Sequence, residues 1–207
     1  RAAMAGEPDA TAASIAAAAV ANPGGPWFAV PPLMHAAAQW TAFCGLHGGA
    51  PCLVYDDSGP FDPRAVLGAA QRARAHMMSI VGDAYARPLG EELRRGRYDL
   101  SSLRMIGTGG AVTSEAVQAA LLELLPHVVV VDGYGSSETG GMAFGARTAA
   151  GGGGSFAPRD GATVVSADLT HELAPGDDEV GWTARRGSVP LGYLGDRART
   201  ETTFPVV

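Results

Sequence analysis

The stretch VVVVDGYGSSETGG at residues 128–141 decides the fold of this 207-residue chain. Four consecutive valines are typical of a strand that is buried on both faces, as the strands of parallel sheets are. This strand leads directly into a loop that carries an aromatic side chain, hydroxyls and one carboxylate. In an open α/β sheet, ligands bind at the carboxyl ends of the strands. The stretch therefore predicts a parallel strand with a ligand site at its end.

Strand and helix patterns alternate on the amino-terminal side of this stretch. Short apolar runs predict strands, and apolar residues spaced at a helical period predict the helices between them. The predicted strands are residues 27–31, 51–55, 77–81, 103–106 and 128–131. The predicted helices are residues 10–21, 33–46, 62–75, 85–95 and 113–125. The alternation predicts an α/β fold: a mostly parallel sheet flanked by helices, as in Rossmann-like and flavodoxin-like subdomains.

The pattern changes after about residue 145. Four consecutive glycines at residues 151–154 predict a mobile loop. The elements predicted beyond it are β-like segments at residues 162–165 and 179–184 and a short helix at residues 196–203. We expect an α/β subdomain over residues 1–145 and a small antiparallel, β-rich appendage over residues 146–207.

The composition excludes several functional classes. The net charge is −6 and no arginine cluster is interleaved with aromatic residues, so nucleic-acid binding is not expected. No apolar run approaches the ~20 residues that a membrane span requires. Cys44 and Cys52 are the only cysteines, and two reduced thiols are typical of a cytoplasmic protein. All 15 basic residues are arginines, so these residues supply no lysine for catalysis.

Two further loops of small residues follow predicted strands, at residues 82–84 and 107–110. Because the carboxyl ends of parallel strands meet at one edge of a sheet, the three loops are expected to form one crevice. An α/β-hydrolase is the alternative, with Ser137 as the nucleophile and His171 as the base. The nucleophile motif of that fold is G-x-S-x-G, and Thr139 stands where its last glycine belongs. The five histidines show no zinc-binding spacing.

Three segments resemble successive core motifs of the adenylate-forming acyl-CoA synthetases, a family that includes luciferases and the adenylation domains of peptide synthetases. These segments are PPLMH at residues 31–35, GTGGA at residues 107–111 and YGSSET at residues 134–139. The segment at residues 192–196 resembles the one that precedes the family's ribose-binding aspartate. Residues 80–84 and 99–103 are most similar to the fatty-acyl-CoA ligase branch. The resemblance covers nearly the whole chain, as the central part of the family's large N-terminal domain.

The resemblance implies a two-step reaction. ATP and a carboxylic acid, fatty or related, form an acyl adenylate and pyrophosphate, and coenzyme A then displaces AMP. The implied cofactors are ATP or AMP, Mg²⁺ and coenzyme A, and the implied substrate is a small-molecule carboxylic acid. Residues 1–145 would then bind the nucleotide and the acyl group. A non-catalytic module that binds a nucleotide or an acyl group is the alternative function.

The resemblance also implies roles for individual residues. Tyr134 is expected to stack on adenine, and Asp132 to help hold the base. Ser137 is expected to contact a phosphate, Glu138 to ligate Mg²⁺, and His35 to lie near the reacting carboxylate, which makes these three the implied catalytic residues. The other implied nucleotide-binding residues are Gly133, Gly135, Ser136, Thr108, Gly109 and Gly110. The implied acyl-pocket residues are Ala36, Trp40, Asp83 and Ala84.

The chain departs from the family pattern in the parts that it does not include. The family's phosphate loop, with its lysine, is expected before residue 1. The ribose-binding aspartate and the small C-terminal domain, which carries the lysine for adenylation, are expected after Val207. We therefore expect these 207 residues alone to be inactive in acyl-adenylate formation.

Overall fold

The computed structural model describes residues 11–205, with the exception of residues 22, 57 and 188. The helices are α1 (Ala12–Ala21), α2 (Ala36–His47), α3 (Pro63–Arg72), α4 (Gly82–Arg95), α5 (Glu115–Leu124) and α6 (Arg197–Thr203). The strands are β1 (Trp27–Ala29), β2 (Cys52–Val54), β3 (Met77–Ser79), β4 (Met105–Gly109), β5 (Val129–Ser136), β6 (Gly140–Thr148), β7 (Gly151–Gly152), β8 (Ala157–Pro158), β9 (Ala162–Val165) and β10 (Trp182–Arg185).

The first five strands form a parallel sheet in the order β2-β1-β3-β4-β5. Helices connect these strands, so the predicted α/β fold with a mostly parallel sheet is confirmed. The register places Thr108 opposite Asp132 and Gly109 opposite Gly133. The ends of β4 and β5 therefore lie side by side at the carboxyl edge of the sheet, where ligands bind in this class of fold.

The antiparallel part of the chain begins inside the main sheet. After a turn at residues 137–139, β6 returns antiparallel to β5, and β7 and β8 pair antiparallel with β6. Strands β9 and β10 form a separate two-stranded antiparallel sheet, which is the small antiparallel sheet expected after residue 145. Strand β6, which spans residue 145, belongs to the main sheet.

Two of the predicted loops are wrong. Residues 82–84 form the first turn of α4, and Gly82 enters this turn with a φ of +60° and packs directly against Ala111. Residues 132–136 continue strand β5, because glycines in both strands let the backbones of β5 and β6 approach closely. The glycine and hydroxyl composition of this segment is typical of a loop, but its pairing partner extends the strand. The glycine run at residues 151–154 includes β7, which pairs with β6.

The core lies between the parallel sheet and the helices α3, α4 and α5. Its buried large side chains include Phe28, Val30, Leu67, Met78, Ile80, Leu89, Leu103, Ile106, Leu121 and Val130. Helix α3 begins as the sequence predicts, since the carboxylate of Asp62 accepts a hydrogen bond from the backbone N–H of Arg64 and Pro63 occupies the first turn. This packing fixes the strand ends that form the site.

No helix in the described part of the chain combines the length and the apolar character that crossing a bilayer requires. Cys44 and Cys52 are not joined by a disulfide.

Candidate functional site

A cavity of about 480 Å³ opens at the carboxyl edge of β4 and β5. Residues 110–115 and Gln118 form one wall, residues 132–135 form another, and residues 145–146 and 153–156 close the rest. The volume is in the range of cavities that hold small molecules. Five of the predicted nucleotide-binding residues line it: Gly110, Asp132, Gly133, Tyr134 and Gly135.

The carboxylate of Asp132 is held by a buried glutamine of α5. Gln118 is 6% exposed, and its Nε2 donates to Asp132 Oδ2 at 3.0 Å and to the Thr113 carbonyl oxygen at 2.9 Å. Burial raises the pKa of Asp132, while the hydrogen bond from Gln118 opposes that rise. The sequence prediction missed Gln118. The sequence does contain an indication of its role, because Gln118 lies on the same helix face as Leu121 and Leu122. Burial of an amide without a hydrogen-bond partner costs free energy, so a glutamine on that face indicates a buried partner.

Tyr134 lies at an irregularity of the β5–β6 pairing, where the register shifts between Tyr134 and Gly135. Its hydroxyl is 3.3 Å from the hydroxyl of Thr183 on β10. The side chain is 52% exposed and lines the cavity. The phenol end of the ring thus contacts the small sheet, while the residue lines the cavity.

The tip of the β5–β6 hairpin carries the predicted phosphate and metal residues, outside the cavity lining. Ser136 and Thr139 fix the turn, since the backbone N–H of each donates to the hydroxyl of the other. Ser137 lies exposed in that turn. Tyr193 donates from its hydroxyl to Glu138 Oε1 at 2.6 Å, and this hydrogen bond is the main reason that the pKa of Glu138 is lowered.

Glu138 fits a cation that phosphate oxygens also bind. The described residues contain no group of three or more His, Cys, Asp or Glu side chains that could cage a metal. A single ionised carboxylate is sufficient for Mg²⁺, which is commonly held by one or two carboxylates together with substrate phosphates and waters. The donor set therefore fits Mg²⁺ that arrives with a nucleotide, and it does not fit a metal bound by the protein alone.

The predicted acyl-pocket residues of α2 lie outside the cavity lining. His35 immediately precedes α2, and its backbone N–H donates to the carbonyl oxygen of Pro32. Ala36 begins the helix, and Trp40 lies one turn later with 36% of its surface exposed.

Asp83 and Ala84 occupy the first turn of α4, and Asp83 is engaged in structural contacts. Its carboxylate accepts from the backbone N–H of Ser114 at 2.9 Å and pairs with Arg87 at 2.7 Å. The Ser114 N–H is the main reason that the pKa of Asp83 is lowered. Asp83 thus holds the start of α5, where the Ser114 side chain makes no cap bond.

The remaining predicted residues support the loop after β4. The hydroxyl of Thr108 is buried and bonds to the hydroxyl of Thr113. Gly109 pairs with Gly133, and a Cβ at Gly109 would lie 2.6 Å from the Gly133 carbonyl oxygen. The close approach of β4 and β5 at the cavity floor therefore requires glycine.

The structure does not assemble a hydrolase pair. His171 Nδ1 contacts the hydroxyl of Thr170 at 3.1 Å, and its Nε2 is 4.0 Å from Glu179 Oε2. These partners lie near His171 in its own part of the chain, and no hydrogen bond between His171 and Ser137 is present among the described residues.

Residues 9–181 match the family described as AMP-binding enzyme. The chain belongs to this family. It is 39% identical to the medium-chain acyl-CoA ligase Mig of Mycobacterium avium, over 99% of this chain and 37% of that protein. It is 34% identical to a 3-oxocholest-4-en-26-oate–CoA ligase of Rhodococcus rhodochrous, over 88% of this chain and 34% of that protein. The chain thus spans little more than a third of the length of these curated relatives.

Solved structures agree with this assignment. The amide bond synthetase McbA from Marinactinospora thermotolerans superimposes with a TM-score of 0.66 at 27% identity, over 92% of this chain and 38% of that one. A nonribosomal peptide synthetase, FmoA3, in an AMPPNP-bound form gives a TM-score of 0.71 at 19% identity, over 89% of this chain and 21% of that one. The second likeness concerns the fold alone. The predicted relationship to the adenylate-forming acyl-CoA synthetases is confirmed.

Proposed function

We propose that this chain forms the adenylate-binding part of an ATP-dependent, AMP-forming acyl-CoA ligase. The observation that carries the proposal is the cavity wall at residues 132–135, where a half-exposed aromatic ring stands beside a carboxylate fixed as an acceptor. An aromatic face binds a base by stacking, and a carboxylate accepts from an exocyclic amine. The names of the curated relatives, which are acyl-CoA ligases, supply the reaction class.

In the proposed reaction, a carboxylate oxygen attacks the α-phosphorus of ATP and pyrophosphate leaves. The thiol of coenzyme A then attacks the acyl carbon, so that a thioester forms and AMP is released. Tyr134 and Asp132 bind adenine, Ser137 contacts a phosphate, and Glu138 binds Mg²⁺. When it is bound, Mg²⁺ neutralises charge that develops on the phosphate oxygens. The acid is proposed to be a medium-chain or larger apolar carboxylic acid, in line with the relatives' names.

The order of the strands supports a direction for the acyl group. His35 and α2 follow β1, Asp83 and α4 follow β3, and the cavity follows β4 and β5. Strand β3 lies between β1 and β4 in the sheet, so these segments occupy successive places along one edge. We place the acyl chain along this edge, from the cavity toward His35 and Trp40. Because Ser114 and Arg87 occupy the carboxylate of Asp83, we propose that Asp83 lines the acyl site without reacting with the acid.

The first test separates binding from catalysis. The 207-residue chain is expected to bind AMP in isothermal titration calorimetry and to catalyse no octanoate-dependent ATP–pyrophosphate exchange. The reason is that its 15 basic residues are all arginines, so it offers no lysine to the reacting phosphate and carboxylate. Failure to bind AMP would remove the basis for the proposed site. Measurable exchange would contradict the expected inactivity of the isolated chain.

The same titration distinguishes a ligase site from a nucleotide-only module. A non-hydrolysable sulfamoyl analogue of octanoyl adenylate is expected to bind at least ~10-fold more tightly than AMP. Each buried methylene contributes about 0.8 kcal/mol, so burial of two to three of them suffices for that gain. Equal affinities would favour a module that recognises only the nucleotide.

The assignment of Glu138 to Mg²⁺ is tested by Glu138→Gln. In the presence of Mg²⁺, this variant is expected to lose about tenfold or more in affinity for a non-hydrolysable ATP analogue. Groups that merely support metal ligands already contribute about 10- to 100-fold to metal affinity. With EDTA present, variant and parent should bind equally. Glu123→Gln, an exposed carboxylate on α5, makes the same charge change and is the matched control. A loss that is independent of Mg²⁺ would count against a metal role.

A further inference from the structure

The side-chain amide of Gln118 is fixed in one orientation. It is buried on α5, and its Nε2 has two hydrogens with two acceptors, the carbonyl oxygen of Thr113 at 2.9 Å and Asp132 Oδ2 at 3.0 Å. A backbone carbonyl oxygen can only accept a hydrogen bond, so the nitrogen must face Thr113. Exchange of the amide oxygen and nitrogen would leave that contact without a proton.

This orientation determines what Asp132 presents to the cavity. Because the amide donates to Oδ2, that oxygen must act as an acceptor. Burial raises the pKa of Asp132, and the hydrogen bond from Gln118 opposes this rise by stabilising the ionised carboxylate. Asp132 lines the cavity, so a bound base that reaches the other oxygen of the ionised carboxylate meets an acceptor as well. Such a group forms a hydrogen bond with a ligand N–H and repels a ligand carbonyl oxygen.

We infer that Gln118 is a positioning residue that makes the cavity selective for adenine over 6-oxopurines by fixing Asp132 as a hydrogen-bond acceptor. The inference rests on the proposed function of the cavity as an adenylate site. Adenine carries an amino group at its 6-position, whereas hypoxanthine carries a carbonyl oxygen there. Gln118 also lines the cavity, but its amide N–H groups are donated to Thr113 and Asp132, so we infer that it acts on the base through that carboxylate.

The inference is tested by comparing AMP with IMP in isothermal titration calorimetry. The parent chain is expected to prefer AMP by about 10- to 100-fold, the range of one hydrogen bond to a charged group. Gln118→Met keeps the length of the side chain and removes its donors. The preference should fall about tenfold, because Asp132 becomes free to rotate or to take up a proton. Gln71→Leu is the matched control, since this glutamine on α3 accepts a hydrogen bond from the Asp99 N–H, and it should leave the preference unchanged.

A second pair of variants gives a result that a merely structural glutamine would not produce. In Asp132→Asn, the Gln118 amide should hold the new side-chain oxygen, so that the NH₂ group faces the cavity and the preference reverses toward IMP. In the double variant with Gln118→Met, the asparagine can turn either way, and the reversal should be lost. Circular dichroism and thermal melting report whether each variant folds.

The outcomes distinguish failure of the proposed adenylate site from failure of the role inferred for Gln118. If the parent chain binds no AMP, the proposed function fails. If the parent prefers AMP and folded Gln118→Met keeps the same preference, the proposed function stands and the role of Gln118 is overturned. The role of Gln118 would also be overturned if the preference reversed toward IMP both in Asp132→Asn and in the double variant with Gln118→Met.

Discussion

Replacement of Tyr134 by alanine is expected to weaken AMP binding by about 5- to 150-fold. The stacking of one base on an aromatic side chain contributes about 1–3 kcal/mol, which corresponds to that range. Tyr134 supplies an aromatic ring in the wall formed by residues 132–135, and alanine leaves that wall without a flat apolar face. Isothermal titration calorimetry with AMP measures the change directly.

Tyr134→Phe separates the ring from its hydroxyl. The phenylalanine keeps the stacking surface and loses only the contact with Thr183, whose oxygen–oxygen distance of 3.3 Å is long for two hydroxyls. Its AMP affinity should stay within about threefold of the parent, since a weak hydrogen bond contributes less than 1 kcal/mol. If Phe and Ala weaken binding equally, the hydroxyl acts and the stacking argument is wrong. An alanine variant that binds like the parent would place adenine elsewhere.

The parallel part of the fold was predictable because its signals are local. Residues 128–131 are four consecutive valines, and that pattern predicts a strand without knowledge of its partner strands. The predicted burial on both faces holds only in part, since Val128 and Val130 are buried and Val129 and Val131 are half-buried. The Asp62–Pro63 helix start is also local, because the capping carboxylate and the N–H that it accepts from lie two residues apart. Such features follow from short windows of sequence.

The end of β5 was not predictable in this way. Residues 132–136 have a loop-like composition, and they become a strand because β6 returns beside them. A sequence window before the turn does not contain that partner. Asp83 is a similar case, since its carboxylate is occupied by Ser114, 31 residues away in sequence, and only the packed loop reveals that contact.

Gln118 shows the same limit within the site itself. The family motifs drew attention to the ligand-facing residues of β5, and the residue that orients Asp132 lies on a helix outside those motifs. A polar residue on an apolar helix face indicates a buried partner, although not which one. The motifs thus predicted residues that line the cavity, and they did not predict a side chain that acts through another.

Two separate parts of the chain meet at the hairpin tip. Tyr193 reaches Glu138 across 55 residues of sequence, and the Arg199 guanidinium lies 4.2 Å from the centroid of the Tyr193 ring. The segment around α6 therefore restrains the predicted metal ligand, while the cavity residues are restrained by α5. In the proposed function, the residues for the base and those for the phosphates are therefore supported by different elements, and we expect variants in one set not to disturb the other.

Gly135→Ala is expected to damage both stability and AMP binding. A Cβ at this position would overlap the carbonyl oxygen of Gly140 in the facing strand, so the obstacle is backbone rather than a movable side chain. The hairpin must open at the point where the pairing register shifts, next to Tyr134. Insertion of a methyl group into closely packed structure costs about 1–3 kcal/mol. Urea unfolding should register that loss.

The same local opening of the hairpin is expected to weaken AMP binding more strongly than it lowers stability. Because Tyr134 and Gly135 share one wall of the cavity, displacement of the strand moves the stacking surface, and AMP affinity should fall at least ~10-fold. Gly59→Ala is the matched control, since a Cβ there meets no atom within 4 Å, and it should change neither quantity. If Gly135→Ala unfolds and binds AMP like Gly59→Ala, the hairpin tolerates a wider spacing of β5 and β6. The tight glycine pairing would then not be what places Tyr134 against the ligand.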